Sequence, residues 1–176
     1  MVATVRKLIL SMLLLSMILA GCTEVSLDYL EFELNPGVDT IEINDTFIDA
    51  GAQAKYGLKN LEVITISNNV NTTQIGVYEI IYQTTHRDLV QTLVRIVTVV
   101  DETPPVLSLK PGIDTITVDE TWVDEGIQAT DNSQEELEIV VQGEVLPIVG
   151  IYEITYRVLD SSGNVSTIKR YVHVIE

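Results

Sequence analysis

The chain repeats itself, and the repeating unit is short. Leu34-Asn35-Pro36-Gly37-Val38-Asp39-Thr40-Ile41 reads against Leu109-Lys110-Pro111-Gly112-Ile113-Asp114-Thr115-Ile116, an offset of 75 residues. Asp45-Thr46-Phe47-Ile48-Asp49-Ala50-Gly51 reads against Glu120-Thr121-Trp122-Val123-Asp124-Glu125-Gly126 at the same offset. Gly76-Val77-Tyr78-Glu79-Ile80 matches Gly150-Ile151-Tyr152-Glu153-Ile154 at 74, and Arg95-Ile96-Val97 against Arg170-Tyr171-Val172 restores 75. Such self-similarity divides the chain into two modules, residues 27–101 and 102–176. The boundary falls near Asp101-Glu102-Thr103-Pro104-Pro105. Consecutive prolines fix φ and hold the preceding residue extended, which predicts a stiff connector or the lead-in to a strand. No Ser/Gly-rich linker separates the modules.

Within each module the apolar period is two. Thr40-Ile41-Glu42-Ile43, Thr115-Ile116-Thr117-Val118 and Ile151-Tyr152-Glu153-Ile154-Thr155-Tyr156 alternate, and Val94 to Val100 is almost wholly β-branched. This pattern, cut by turn residues, predicts short antiparallel strands. Pro36-Gly37 and Pro111-Gly112 read as turn dipeptides, and Ser161-Ser162-Gly163-Asn164 as a hairpin loop. Six or seven strands in roughly 75 residues must bury an apolar face against a second sheet, so the expected fold is all-β, a pair of tandem β-sandwiches.

The tyrosines refine this. Gly-x-Tyr-x-Ile opens a strong strand in both modules, at Tyr78 and Tyr152. In immunoglobulin-type sandwiches a tyrosine at that corner bonds back to upstream backbone two residues before a core cysteine, a place taken here by Ile80 and Ile154. The modules resemble bacterial immunoglobulin-like domains of the pesticidal-crystal-protein type. Asp101-Glu102-Thr103-Pro104-Pro105, the Gly-x-Tyr-x-Ile-x-Tyr strand and Asp160-Ser161-Ser162-Gly163-Asn164 carry the resemblance. It is fuller in the second module, because Thr85-His86-Arg87-Asp88 replaces the Gly-Asn loop in the first. It implies a fold used widely for spacing and binding.

At the start of the chain, Arg6 and Lys7 precede an apolar run, Leu8 to Ala20, and then Gly21-Cys22. This is a secretory n-region and h-region. As a helix the run spans about 20 Å, short of the ~30 Å hydrocarbon core, so a permanent transmembrane helix is the weaker reading. An ordinary signal peptide with an incidental cysteine is another, against which the position of Cys22 and its flanking residues agree. Leu19-Ala20-Gly21-Cys22 resembles the lipobox of bacterial lipoproteins. The resemblance implies removal of residues 1–21, diacylation of Cys22 (palmitate-type chains, often with a third on the new amine) and anchoring on the extracytoplasmic face of the cell membrane. Residues 22–26 would then form a short tether, at most ~18 Å long, that holds the first module near the membrane.

Without residues 1–21, eight basic side chains face 26 acidic ones, a net charge of −18. Such a surface repels nucleic acid, and no nucleic-acid partner is expected. With Cys22 acylated no thiol remains for a disulfide, so each core holds by packing, or with help from an ion.

No nucleophile constellation, zinc motif or phosphate-binding glycine loop occurs. His86 lies in a predicted loop and His173 on a last strand, and scattered carboxylates make no predicted cleft, so no catalytic residue is expected. The chemical suspicion is calcium. Asp101 and Glu102 sit at the joint, and Asp131, Asn132, Asp160 and Asn164 fall in loops of the second module, where they offer the oxygens that hard cations take. The same residue types also make turns without metal. The first module lacks the set, since Lys55-Tyr56 stands in place of Thr130-Asp131. Trp122 and its counterpart Phe47 read as packing residues, with Trp122 as a candidate sugar-stacking platform.

The expected function is that of a non-enzymatic surface lipoprotein, a spacer, scaffold or adhesion module. Its partners would be an envelope or extracellular protein or polysaccharide. The alternative is a carbohydrate- or other ligand-binding module at the envelope.

Overall fold

The computed structural model describes residues 25–176. Cys22 and residues 1–21, which the sequence reads as a signal peptide, lie outside the described residues. After a 3-10 turn at Leu27–Tyr29, the first module runs β1 (Leu30–Leu34), β2 (Thr40–Glu42), β3 (Ala52–Tyr56), β4 (Lys59–Leu61), β5 (Val63–Asn68), β6 (Gly76–His86) and β7 (Leu89–Val100). The second runs β8 (Val106–Leu109), β9 (Thr115–Thr117), β10 (Ile127–Thr130), β11 (Glu138–Gln142), β12 (Gly150–Leu159) and β13 (Val165–Ile175).

Each module is a sandwich. In the first, a sheet ordered β1-β3-β4 faces one ordered β2-β7-β6-β5; in the second, β10-β8 faces β11-β12-β13-β9. Pro36-Gly37 and Pro111-Gly112 carry the chain from one sheet to the other. β1 pairs with β3, but β2 joins the opposite sheet beside β7, and β8 and β9 part in the same way. Proline lacks the N–H that a continued ladder would need, so the strand breaks there and restarts across the sandwich. The restarted strand is parallel to its neighbour, Ile41 opposite Val99 and Ile116 opposite Val174, where only antiparallel pairing was expected. Alternation gives the face of a residue and not the direction of its partner. His86 also ends β6 and does not lie in a loop.

Alternation on the long central strands builds both cores. Ile80, Tyr82 and Val97 form the first; Ile127, Ile154, Tyr156, Val158 and Val172 form the second. The corner tyrosines behave as read. Tyr78 Oη donates to Gln74 O at 2.7 Å and Tyr152 Oη to Ile148 O at 2.8 Å, and Ile80 and Ile154 lie buried two residues on.

The feature that the sequence conceals is a buried arginine in each module. Arg95 on β7 and Arg170 on β13 are each 1% exposed. Arg95 donates to Asp39 Oδ1 and to the carbonyls of Asn35 and Gly51. Arg170 repeats this with Asp114 Oδ1 at 2.9 Å and the carbonyls of Lys110 and Gly126. Asn35 and Gly51 flank strands of one sheet while Arg95 belongs to the other, so the guanidinium ties the sandwich across its middle. The sheet-switch glycines make room for it. A Cβ on Gly37 would lie 3.0 Å from Arg95 Nη1, and one on Gly112 would lie 2.7 Å from Arg170 Nη1. Beneath each arginine a tyrosine hydroxyl donates to a carboxylate, Tyr82 to Asp49 and Tyr156 to Asp124.

Arg95→Ala or Arg170→Ala would take its donor from the Asn35 or Lys110 carbonyl, leave Gly51 O or Gly126 O with a backbone N–H alone, and unpair Asp39 or Asp114; it is expected to cost the affected module about 3 kcal/mol in urea unfolding. Lys169→Ala, which removes an exposed pair with Glu153, should leave the midpoint in place. Burial pushes the Tyr82 and Tyr156 hydroxyls up to about 12, with the carboxylates of Asp49 and Asp124 adding to the rise. The folded value lies above the ~10 of an unfolded tyrosine. The stability they contribute is therefore whole below pH ~10 and is lost as pH climbs towards 12. Alkaline absorbance titration should show two of the seven tyrosines ionising last, around pH 12.

Candidate functional site

The chemistry of the chain concentrates where the modules meet. β2 ends at Glu42, in register with Val100, the last residue of β7. That register sets the Glu42 side chain against the connector that follows. Its carboxylate accepts from Glu102 N at 2.9 Å, from Thr103 Oγ1 at 2.6 Å and, across the joint, from Asn132 Nδ2 at 3.0 Å. The hydrogen bond from the Thr103 hydroxyl holds the Glu42 carboxyl below its usual range against the opposing effect of burial; the Glu102 N–H, Asn132 and Asp101 add to the lowering. A second strut crosses the joint beside it, from Asn44 Nδ2 to Asn132 O at 2.8 Å.

Behind Glu42 three loops deliver carboxylates to one point. Asp101 comes from the connector, Asp131 from the loop after β10, and Asp160 from the β12–β13 loop. One oxygen of each lies within 4.8 Å of the others. Asp101 is 6% exposed and Asp160 7%. Each is held by its own loop. Asp101 Oδ1 accepts from Thr103 N, Asp131 Oδ1 from Ser133 N and Oγ, and Asp160 from Asn164 N and Nδ2. Asn164 Nδ2 also reaches Asp101 O at 3.1 Å, which joins the β12–β13 loop to the connector. Asp101 Oδ2, Asp131 Oδ2 and Asn132 Oδ1 are buried without a hydrogen-bond partner. Burial pushes the Asp101 carboxyl above its ordinary range, and the charges of Asp131 and Asp160 push the same way, against the Thr103 N–H.

Of the six residues that the sequence marks as oxygen donors, Asp101, Asp131 and Asp160 therefore converge. Asn164 braces Asp160, Asn132 spans the joint, and Glu102 takes part through its backbone N–H. Glu42 was missed. A comparison of the modules holds the signal for it, since its counterpart in the second module is Thr117. Trp122 packs against the second core, and its indole N–H donates to Ile113 O at 3.1 Å. His173 is exposed on β13.

Among the described residues no helix is long and apolar enough to cross a membrane. No curated protein matches the sequence significantly. Three solved structures are similar at low identity. Drosophila N-cadherin EC1-4 shares 10% identity over 83% of this chain, with a TM-score of 0.36, and the chain spans 50% of that fragment. A lipoprotein from Bacteroides thetaiotaomicron shares 15% over 82% of this chain and 80% of its own, TM-score 0.35. The M60 catalytic domain with CBM51 domains from Clostridium perfringens ZmpB shares 16% over 82% of this chain and 30% of its own, TM-score 0.38. At these scores none of the three bears on what the chain does. The model of the bacterial surface protein Ig-like domain matches twice, at residues 37–99 and 113–174. The chain belongs to the bacterial surface Ig-like domain family and carries that domain in two tandem copies.

Proposed function

We propose that this is a lipid-anchored surface protein whose two Ig-like modules act by position and contact, as a spacer, scaffold or adhesion module with no bond-making step of its own. The observation that carries the reading is the match of both modules to a bacterial surface domain. The finer resemblance to the pesticidal-crystal-protein type rests on the Asp101–Pro105 and Asp160–Asn164 motifs. Attachment through Cys22 rests on the lipobox.

The ends of the two modules supply further support. In the first module the loop before β6, residues 69–75, lies on the side of the joint, and its Thr72 carbonyl accepts from Asn44 N at 2.7 Å. That loop is rich in Asn, Thr and Gln. The matching loop before β12 lies at the far end of the second module and carries Leu146, Ile148 and Val149, each more than a third exposed. Ile151, the second residue of β12, adds to the same end at 67% exposed. Apolar side chains gathered at the end remote from the tether suit a protein or polymer partner in the envelope or beyond it. The carbohydrate alternative would draw on Trp122, whose ring is partly buried against the second core, so contact through the far loop is the reading carried forward.

Two outcomes are expected. Alkyne-palmitate labelling of the expressing cells should tag the chain and place it in the membrane fraction. Cys22→Ala should abolish the tag and release the chain, and an untagged wild type would remove the anchor from the reading. In pull-downs from the same cell envelope, the wild-type chain should retain a partner that Ile148→Asp with Val149→Asp loses at unchanged thermal stability. A retained partner indifferent to that pair would move the contact surface elsewhere.

A further inference from the structure

We infer that Asp101, Asp131 and Asp160 bind a calcium ion, and that Asn132 couples the occupancy of this site to Glu42 of the first module. The inference is independent of what the modules contact. Three carboxylates with oxygens inside 4.8 Å of one another repel strongly where water is scarce. The donors that reach them, Thr103 N, Ser133 N and Oγ, and Asn164 N and Nδ2, are all neutral. They orient the carboxylates without cancelling their charge. Asp101 is more than nine-tenths buried and its Oδ2 has nothing bonded to it, and in Asp131, whose carboxylate shares the cluster, Oδ2 is likewise buried and unpaired. A buried oxygen that has lost water and gained no donor is costly, and a cation supplies what both lack.

The first module shows how the same place is filled when no ion is called for. By the repeat, Asp101 stands where Ser26 does, Asp131 where Tyr56 does and Asp160 where His86 does. There Ser26 N donates to Tyr56 Oη at 3.2 Å, and the Tyr56 ring stacks on His86 with centroids 4.3 Å apart and planes at 23°. One copy closes its strand ends with stacked rings; the other closes the same ends with three acids. The duplicated scaffold does not need acids at these positions, so their presence in one copy points to a ligand of opposite charge.

The donor set selects the ion. It holds oxygen alone, with no histidine or cysteine, which disfavours zinc and its neighbours. Three carboxylates on three loops, with Asn132 Oδ1 buried and unpaired close by, make an irregular set rich in charge. Calcium accepts six to eight oxygens in flexible arrangements, whereas magnesium demands a near-ideal octahedron and holds its waters. Asn132 gives the site its reach. Its Nδ2 is bonded to Glu42 Oε1 of the first module, and it follows Asp131 directly, so fixing Asp131 on an ion fixes the strut across the joint.

The full chain in detergent tests this by differential scanning fluorimetry, with calcium chloride against EDTA. Millimolar calcium should raise the melting temperature of the second module by about 5 °C or more. Asp131→Asn should remove that response while leaving the EDTA melting temperature equal to or above that of wild type, because it relieves repulsion; this separates lost binding from lost folding. Glu42→Gln should keep the thermal response. It should lose a calcium-dependent narrowing of the distance distribution between spin labels placed one in each module. No calcium shift in the wild type, a shift that survives in Asp131→Asn, or an equal shift with magnesium would overturn the calcium site. Narrowing that persists in Glu42→Gln would overturn the coupling.

Discussion

Each module depends on one charged side chain set in the middle of a sandwich. Arg95 and Arg170 reach from the large sheet to backbone carbonyls beside the small one, and each is fixed at its far side by an aspartate, Asp39 or Asp114. Immunoglobulin domains commonly fasten their two sheets with a disulfide. No cysteine occurs among residues 25–176. The guanidinium takes over this fastening because five donors in a planar fork can serve a carboxylate and two carbonyls at once. The sheet-switch proline and glycine, the aspartate that follows and the glycine ahead of β3 or β10 serve the same fork. That is why these residues recur in both modules while much around them has drifted.

A clamp at the centre leaves the ends of the sandwich free to differ, and there the duplication diverges. Where the first module stacks Tyr56 on His86, the second sets Asp131 near Asp160. Where the second has Thr117, the first has Glu42, which binds the connector and the loop of its neighbour. Both departures fall on the two surfaces that meet. The tandem arrangement is therefore encoded by a few substitutions at strand ends, placed on a scaffold whose core did not have to change.

Much of this was legible in the sequence. Period-two strands, the duplication and the corner tyrosines follow from local pattern, because side-chain alternation and turn chemistry act over a few residues. The clamp was not legible. Arg95 and Arg170 were visible as matched letters on a strand, but arginine is seldom fully buried, and only the sheet switch shows why these two are. Asp101, Asp131 and Asp160 were marked as oxygen donors one loop at a time. Their convergence depends on three chain segments some thirty residues apart in sequence. Glu42 shows in the sequence only as a departure from Thr117 in the other copy, because it sits on a strand and its partners belong to the connector and the second module. The first module lacks the acid set, as Lys55-Tyr56 in place of Thr130-Asp131 indicates, but only the structure shows what fills the place, Tyr56 stacked on His86.

That replacement bears on how a strongly acidic protein holds a defined joint. With a net charge of −16 for the whole chain, acids brought together at a contact would ordinarily push it apart. Around Glu42 the charge is met by a backbone N–H, a hydroxyl and an amide from the connector and the second module, so this carboxylate attracts across the joint. The triad behind it has neutral donors on some of its oxygens and none on Asp101 Oδ2 or Asp131 Oδ2. One carboxylate is thus solved by hydrogen bonding, while the group behind it keeps an uncompensated charge. Asn132, joined to the first by its amide nitrogen and to Asp131 by the chain itself, is the residue through which a change at one must be felt at the other.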